Sequence, residues 1–454
     1  MLSTRSFGRE CPSRPSSTVN FATNTLLVLA LAVLVCCAAP SHAQASLALG
    51  TVGLSPEVVQ CPTSNGWYYY SSGGANTYMN CHFASVSCPN TADLGLTYAY
   101  LNPAAMSPPL VSQAKGVVVL HGGSGGTTPE SFALTDAYFK AGYEIVQIAW
   151  DDDWEMTQDP FSTITANIQN AACRPATFFN WVFTNLFPSV YSANQQAGMC
   201  ALGDSAGSAA VAYSLAYYGA GAWFDNVELL SGPVLSDIKQ GCGVGPNLGA
   251  NNPVTVCGQT NYQGGQYGCQ LGTSGSTWTL GPEYLPGAIS AVAKWTNDNS
   301  CANTYPTNTS GSSNAAWLAQ SIVDQSSGGA GQGAVATFNY PNTAMSGWLC
   351  RSVVSNPNYN CAANGNANSN YCPNNSSPQG QIFYANIGSN NSPPHYAVYA
   401  VDNCSNAEAV GSGNVPGYLP QIFNGTVQGL TAITDDMVGS GTIIPAQCVY
   451  RHQQ

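Results

Sequence analysis

The sequence predicts an α/β fold, a mainly parallel sheet flanked by helices, with an irregular, disulfide-rich insertion that acts as a cap. Three observations support this prediction. Short apolar runs alternate with helical stretches between residues 115 and 219, as in parallel strands joined by crossover helices. Glycine-rich turns follow two of those runs. After residue 231 the composition changes to Gly, Asn, Gln, Ser and Cys, which indicates an insertion packed on the sheet.

The elements of the regular region follow from apolar runs and from capping residues. The predicted strands are residues 116–120, 144–150, 198–202 and 226–230. A first helix is predicted after a cap at Thr128 and before Gly142, a second helical region covers residues 170–187, and a third helix covers residues 205–218 and ends at Gly219.

The C-terminal half gives weaker signals. The cap-like insertion is predicted at residues 239–312 and a polar loop at residues 356–379. Strand candidates are residues 334–338, 382–387 and 396–401, and residues 427–437 are predicted to form the last helix.

Composition limits the partners of the protein. The chain has 454 residues, of which 44% are hydrophobic and 7% are charged, so it can bury a large core. Lys and Arg number 10 against 22 Asp and Glu, and the formal net charge is −12. So few bases cannot neutralise many phosphates, and nucleic acid is therefore not an expected partner.

Residues 1–45 are predicted to form a signal peptide. Arginines precede an apolar run at residues 26–35, and Ala43-Gln44-Ala45 offers a small-residue cleavage site. A signal anchor is the alternative, because the apolar run approaches membrane length. We expect cleavage, secretion of a single domain at residues 46–454, and no stable membrane span afterwards.

The cysteines predict disulfides rather than a metal site. Of 17 cysteines, fourteen lie after the signal segment, an even number that predicts up to seven disulfides in a secreted chain. No Cys-x-x-Cys pair occurs, and His82 has no partner histidine at ligand spacing. No metal is expected.

Sequons that predict a glycoprotein in a eukaryotic host occur at Asn308, Asn374, Asn375, Asn390, Asn403 and Asn424.

The strongest local motif is Gly203-Asp204-Ser205-Ala206-Gly207, which lies between a predicted strand and a predicted helix. A sharp strand-to-helix turn holds a serine oxygen out of a sheet, and small neighbours tolerate the close backbone approach. Ser205 is the predicted nucleophile. A Gly/Ala/Ser-rich helix start without a function is the alternative.

A second motif, residues 121–126, follows the first strand of the sheet and reads His-Gly-Gly-Ser-Gly-Gly. Acyl transfer needs donors aimed at the developing oxyanion, and backbone amides of a glycine loop supply them. Gly122, Gly123 and Ser124 are the candidates, together with Ala206 at the start of the helix. No Gly-Lys-Ser/Thr follows, which disfavours a phosphate loop.

The two motifs in this order resemble the α/β-hydrolase superfamily, in particular its secreted branch of esterases, lipases and polyester depolymerases. The resemblance covers residues 115–232. It implies a Ser-His-acid triad in the chain order serine, acid, histidine, and ester hydrolysis without a cofactor.

The predicted base is His395, one of two histidines that follow Ser205. If residues 382–387 form the last strand, His395 lies in a loop at the C-terminal edge of the sheet, where α/β sites form. If residues 396–401 form the last strand, His395 lies at the wrong end. The other histidine, His452, is predicted to be a frayed surface residue, unless a disulfide at Cys448 holds the tail.

The predicted acid is Asp237, which follows the strand at residues 226–230. Asp324 and Asp402 are alternatives. The position after the strand candidate at residues 334–338 holds Asn339 and Asn342. Asparagine cannot stabilise an imidazolium by charge.

An acidic turn with two tryptophans follows the strand at residues 144–150. Trp150, Asp151 and Trp154 are predicted to line a substrate cleft, with the indole rings as flat apolar surface. The alternative is a solvated turn with Trp150 in the core.

These inferences predict a secreted serine esterase, a carboxylic ester hydrolase that forms an acyl-enzyme on Ser205. The low charge suggests a neutral or apolar ester as substrate. A non-catalytic extracellular binding protein on the same fold and a serine peptidase are the alternatives.

Overall fold

A computed structural model of the chain describes residues 46–155, 168–230 and 447–452, with shorter stretches between them. The shorter stretches are residues 232–233, 253–255, 277–279, 322–324, 329–330, 338–350, 383, 387 and 396–401. The predicted signal segment, polar loop and last helix lie outside the described residues, as does the predicted insertion apart from two short strands.

Of the strands in the described ranges, nine form one sheet and the others form two-stranded pairs. In chain order the strands are β1 Thr51–Gln60, β2 Tyr69–Ser72, β3 Ala75–Tyr78, β4 Asn80–Ser87, β5 Leu94–Leu101, β6 Gly116–His121, β7 Glu144–Trp150, β8 Gly198–Asp204, β9 Asn226–Leu230, β10 Pro253–Thr255, β11 Thr277–Thr279, β12 Val323–Asp324, β13 Gly329–Ala330, β14 Ala344–Cys350 and β15 Tyr396–Val401. The sheet has the order β1-β4-β5-β7-β6-β8-β9-β14-β15. Six neighbours in this order run parallel to one another, namely β7, β6, β8, β9, β14 and β15. Strands β5, β4 and β1 extend the sheet by antiparallel pairing.

The predicted mainly parallel sheet flanked by helices is therefore confirmed. Every residue of β6, β7, β8 and β9 is buried. Helices on both faces cover parallel strands, which explains their nearly continuous apolar runs. These are the four strands that the sequence predicts, and each is found within two residues of its expected bounds.

Five helices of the described residues flank the sheet: α1 Phe132–Lys140, α2 Ile168–Ala171, α3 Cys173–Asn185, α4 Phe187–Ala193 and α5 Ala206–Tyr218. On one face α3 and α5 pack on Val117 and Val119 of β6. On the other face α1 packs on Val118 and Leu120. Successive side chains of β6 thus enter opposite layers of the core.

The first helix begins later than the sequence predicts. Ser131 is its N-cap and its hydroxyl accepts a hydrogen bond from the Leu134 N–H at 3.4 Å. The expected cap, Thr128, lies before the helix, and a Cβ on Gly122 would lie 2.5 Å from its carbonyl oxygen. The segment between β6 and α1 therefore forms the glycine loop and does not extend the helix.

The end of the sheet differs from the main expectation. The strand beside β9 is β14, not residues 334–338; Phe338, a described residue of that candidate, is not in a strand and has φ 48°. Phe383 and Ile387, the described residues of the candidate at residues 382–387, are helical and buried. The last strand among the described residues is β15, which confirms the strand predicted at residues 396–401.

Three disulfides join described residues: Cys61–Cys81, Cys88–Cys173 and Cys200–Cys448. The last of these ties the central strand β8 to the C-terminal segment, across a sequence separation of 248. Within the described part of the chain, no helix has the length and apolar character needed to cross a bilayer.

Candidate functional site

Ser205 lies on a sharp turn between β8 and α5. Its backbone has φ 49° and ψ −112°, a conformation that costs free energy for a residue with a side chain. The Ser205 N–H donates to the Leu230 carbonyl oxygen of the neighbouring strand at 3.0 Å. The side chain is half-buried at the carboxyl edge of the sheet. This is the arrangement of a nucleophile elbow.

Glycines allow the elbow to be tight. A Cβ on Gly203 would collide with the backbone of Gly207, and a Cβ on Gly207 would collide with the carbonyl oxygen of His121. The first turn of α5 therefore packs directly on the end of β6. The sequence motif is explained by these close approaches.

The glycine loop after β6 lies beside the elbow, since β6 and β8 are neighbours and His121 pairs with Gly203. A Cβ on Gly123 would lie 3.4 Å from the Ser205 Cβ. Ser124 starts a short 3-10 turn, Ser124–Gly126. Among the described residues no backbone carbonyl accepts a hydrogen bond from the Gly123 or Ala206 N–H. These amides are therefore available near the serine, and Ala206 stands at a helix N-terminus, where partial positive charge gathers.

His121 is buried beneath the glycine loop. Its Nδ1 lies 2.9 Å from the Gly122 carbonyl oxygen, and its Nε2 lies 3.1 Å from the Trp150 indole nitrogen. Burial lowers the pKa of His121 to about 4, so the ring is neutral near pH 7. Both ring nitrogens are engaged, and His121 therefore shapes the loop instead of abstracting a proton.

The prediction that tryptophans line a substrate cleft is wrong. Trp150 is 2% exposed and Trp154 is 0% exposed, so neither ring offers a surface to a ligand. The alternative for Trp150, a core position, is confirmed. The indole N–H of Trp154 donates to the Ala206 carbonyl oxygen at 3.2 Å. Asp151 is exposed at the same end of β7.

Behind this turn lies a buried carboxyl group, that of Glu155. Within the part of the chain that the structure describes, neither of its carboxyl oxygens has a hydrogen-bond partner from another residue. Burial, followed by the nearby Asp153, raises the pKa of Glu155 well above its ordinary value, although the Arg174 guanidinium opposes this. Burial therefore favours the protonated form of Glu155.

The predicted base and acid, His395 and Asp237, lie outside the described residues. The residue after His395, Tyr396, begins β15 and pairs with Met345. Through the ladders Met345↔Val227 and Val227↔Ala201, this position is level with Ala201, four residues before Ser205. With about 3.3 Å per residue and about 4.8 Å between strands, Tyr396 is about 20 Å from Ser205. It lies at the amino edge of the parallel strands.

The prediction that His452 is frayed is wrong. Its side chain is 14% exposed, and its Nδ1 lies 2.9 Å from Asp225 Oδ1. The Cys200–Cys448 disulfide holds the tail, as the alternative expected. Asp225 precedes β9, so this ion pair lies at the amino edge of the sheet, whereas Ser205 lies at the carboxyl edge. His452 is not the partner of Ser205.

Sequence reasoning missed the roles of His121 and Asp225. The position of His121 directly before a glycine run was visible, but the contact with Trp150 depends on two neighbouring strands. Asp225 and His452 are separated by 227 residues, and no local pattern connects them. No group of three or more metal-ligating side chains occurs among the residues that the structure describes.

Comparison with known proteins gives distant structural neighbours. No family model matches the chain, and no curated protein matches it. Solved structures that resemble it include an esterase from Aspergillus oryzae, with 13% identity, coverage of 79% of this chain and 81% of that chain, and a TM-score of 0.40. A carboxylesterase from Lactobacillus plantarum has 11% identity, 78% and 93% coverage, and a TM-score of 0.34. A poly(3-hydroxybutyrate) depolymerase from Bordetella parapertussis has 12% identity, 78% and 93% coverage, and a TM-score of 0.33. At such low similarity, none of them says what this chain acts on.

Proposed function

We propose that this chain, which has the α/β-hydrolase fold, hydrolyses carboxylic esters with Ser205 as nucleophile. The observation that carries the proposal is the strained backbone of Ser205, at φ 49°, between β8 and the N-terminus of α5. Strain at a single residue with a side chain persists where the surrounding structure holds it, and it is common at active sites. The adjacent glycine loop supports the same proposal.

In the proposed reaction Ser205 Oγ attacks the ester carbonyl carbon while a base takes its proton. The carbonyl oxygen becomes an oxyanion, which the N–H groups of Gly123 and Ala206 stabilise, with Gly122 and Ser124 as further candidate donors. The C–O bond then breaks, the alcohol leaves with the proton, and an acyl-enzyme remains. Water attacks the acyl-enzyme and releases the acid.

His395 is the proposed base and Asp237 the acid that orients it. Of the two histidines after Ser205, His452 is already held by Asp225 at the opposite edge of the sheet. The register of β15 is unfavourable to His395, because Tyr396 begins at the amino edge. The base assignment is therefore tested separately from the nucleophile.

A fluorophosphonate probe tests the nucleophile. We expect stoichiometric labelling of the wild-type protein and none of Ser205→Ala, because the probe reacts with an activated serine. Ser214→Ala is the matched control: Ser214 is a buried serine inside α5, and its hydroxyl donates to the Ala210 carbonyl oxygen at 2.6 Å. Folded wild-type protein that takes up no label would contradict the proposal.

Two histidine variants test the base. His395→Gln should lower the labelling rate by at least about a hundredfold, since general base catalysis contributes roughly that much. His452→Gln should label at the wild-type rate. Equal rates for His395→Gln and the wild type would show that His395 is not the base, without bearing on Ser205.

The second candidate function is extracellular binding by a protein that keeps the elbow but has lost its base. The position of Tyr396, about 20 Å from Ser205, favours it, because one peptide bond joins His395 to Tyr396. A folded protein that is inert to the fluorophosphonate and to short esters is the outcome expected for this candidate.

We also propose that the protein is secreted and that its substrate is a neutral or apolar ester. Three disulfides among the described residues support export, and low charge supports the substrate class. We expect cleavage of p-nitrophenyl esters of short acids and no cleavage of peptide anilides. The opposite preference would indicate a peptidase.

A further inference from the structure

The turn after β7 contacts both parts of the proposed oxyanion site, although its tryptophans are buried. Trp150 reaches the glycine loop through His121, and Trp154 reaches both the glycine loop and the first residue of α5. The reaction proposed above uses neither residue. These three hydrogen bonds are the observations that need an explanation.

The hydrogen bonds of His121 define one tautomer. The Trp150 indole N–H can only donate, so His121 Nε2 must accept. The Gly122 carbonyl oxygen can only accept, so His121 Nδ1 must carry the proton and donate. The two requirements agree, and together they hold a neutral imidazole with its proton on Nδ1.

This tautomer fixes the orientation of one oxyanion donor. The Gly122 carbonyl and the Gly123 N–H belong to the same peptide unit, and in a trans peptide they point in opposite directions. The bond from His121 Nδ1 draws the carbonyl oxygen inward. The Gly123 N–H must then point away from the ring, and the Gly123 backbone lies against Ser205.

Trp154 links the loop to the elbow. Its backbone N–H donates to the Gly125 carbonyl oxygen at 3.0 Å, and its indole N–H donates to the Ala206 carbonyl oxygen at 3.2 Å. Its own carbonyl oxygen accepts from the buried Arg174 guanidinium at 2.9 Å. One rigidly held residue thus sets the position of the loop relative to the first turn of α5.

We infer that Trp150 and Trp154 are positioning residues, which act through His121 and Ala206 to aim the Gly123 and Ala206 amides at the oxyanion formed on Ser205. This inference rests on the proposed function. The buried tryptophans would thereby hold the donor amides of the glycine loop in place, since small errors in donor placement cost much of the rate.

Labelling kinetics test the inference. Trp150→Phe and Trp154→Phe each remove one indole N–H and keep an aromatic ring. We expect the maximal labelling rate to fall on the order of tenfold in each, with the half-saturating probe concentration unchanged within about twofold, because only transition-state contacts are lost. Trp181→Phe is the control: this half-buried tryptophan packs on Tyr98 and Phe178, neither of which belongs to the glycine loop or to α5.

Nitrogen-15 NMR gives a second readout, whose main observation is made on the wild-type protein. We expect a protonated Nδ1 and an unprotonated Nε2 for His121, assigned with His121→Gln, and loss of this single tautomer in Trp150→Phe. A wild-type proton on Nε2 would overturn the inference. So would wild-type labelling rates in both tryptophan variants, or an equal loss in Trp181→Phe. An unlabelled wild-type protein would instead overturn the proposed function, and the positioning role of both tryptophans with it.

Discussion

Substitution of His452 by glutamine should destabilise the protein in a pH-dependent way. His452 Nδ1 faces the Asp225 carboxylate at 2.9 Å, and Nε2 lies 3.1 Å from the Gly221 carbonyl oxygen. Both partners are acceptors, so both ring nitrogens donate only when the ring is an imidazolium. Asp225 has 0% side-chain exposure, and it also accepts the backbone N–H groups of Met199 and Arg451.

The size of the effect follows from these contacts. A hydrogen bond to a charged group contributes about 1.5–3 kcal/mol, and glutamine removes the charge while Asp225 keeps two backbone donors. The hydrogen bond from His452 to Asp225 raises the pKa of His452 above its ordinary 6.5, and desolvation opposes this. The folded-state pKa is thus higher than the unfolded one. The stabilisation is complete below about pH 6.5 and declines as the pH rises through the folded-state value.

Urea unfolding at several pH values measures this effect. We expect His452→Gln to lower the free energy of unfolding by about 1.5–3 kcal/mol at pH 5.5 and by clearly less at pH 9. Lys140→Met is the control, because its exposed ion pair with Asp136 is worth under about 1 kcal/mol. A loss for His452→Gln that is the same at both pH values, or an NMR-titrated His452 pKa below 6.5, would refute the reasoning.

Two further predictions concern stability. Burial raises the pKa of Glu144 to about 7, so the folded protein disfavours the ionised carboxylate and loses stability as the pH rises from 4.5 to 7. The Glu144→Gln variant should therefore be more stable than wild type at pH 8, by at most about 3 kcal/mol, and equal to it at pH 4. Thermal unfolding at the two pH values measures the difference. Removal of Cys200–Cys448, with a separation of 248, should cost about 2 kcal/mol more than removal of Cys61–Cys81, with a separation of 20, in urea unfolding. Equal losses would show that loop closure does not govern these disulfides.

The regular half of the fold could be predicted because its signals are local. Strands β6 to β9 are buried on both faces, so their apolar runs appear directly in the sequence. The elbow at Ser205 could be found because a strand, small residues and a helix start follow one another along the chain. The antiparallel strands β1, β4 and β5 were not predicted, since none gives a continuous buried run. Buried residues of β4 and β5 are interspersed with more exposed ones, and β1 is exposed along nearly its whole length.

The end of the sheet could not be predicted in the same way. Residues 382–387 and 396–401 have similar apolar patterns, and only pairing with β14 identifies the second as the last strand. The orientation of Trp150 and Trp154 likewise depends on what packs around them. Beside an acidic turn they suggested a cleft, whereas both rings are buried and donate hydrogen bonds to His121 and Ala206.

By itself the sequence determined the α/β class, the central parallel strands and Ser205 on its turn, because backbone geometry and apolar periodicity are set within a few residues. Tertiary structure alone decided which distant groups meet. It placed His452 on Asp225, 227 residues away, and it set the tautomer of His121 through Trp150. Hydrogen bonds of this kind depend on the register between strands, which no short segment of the chain contains.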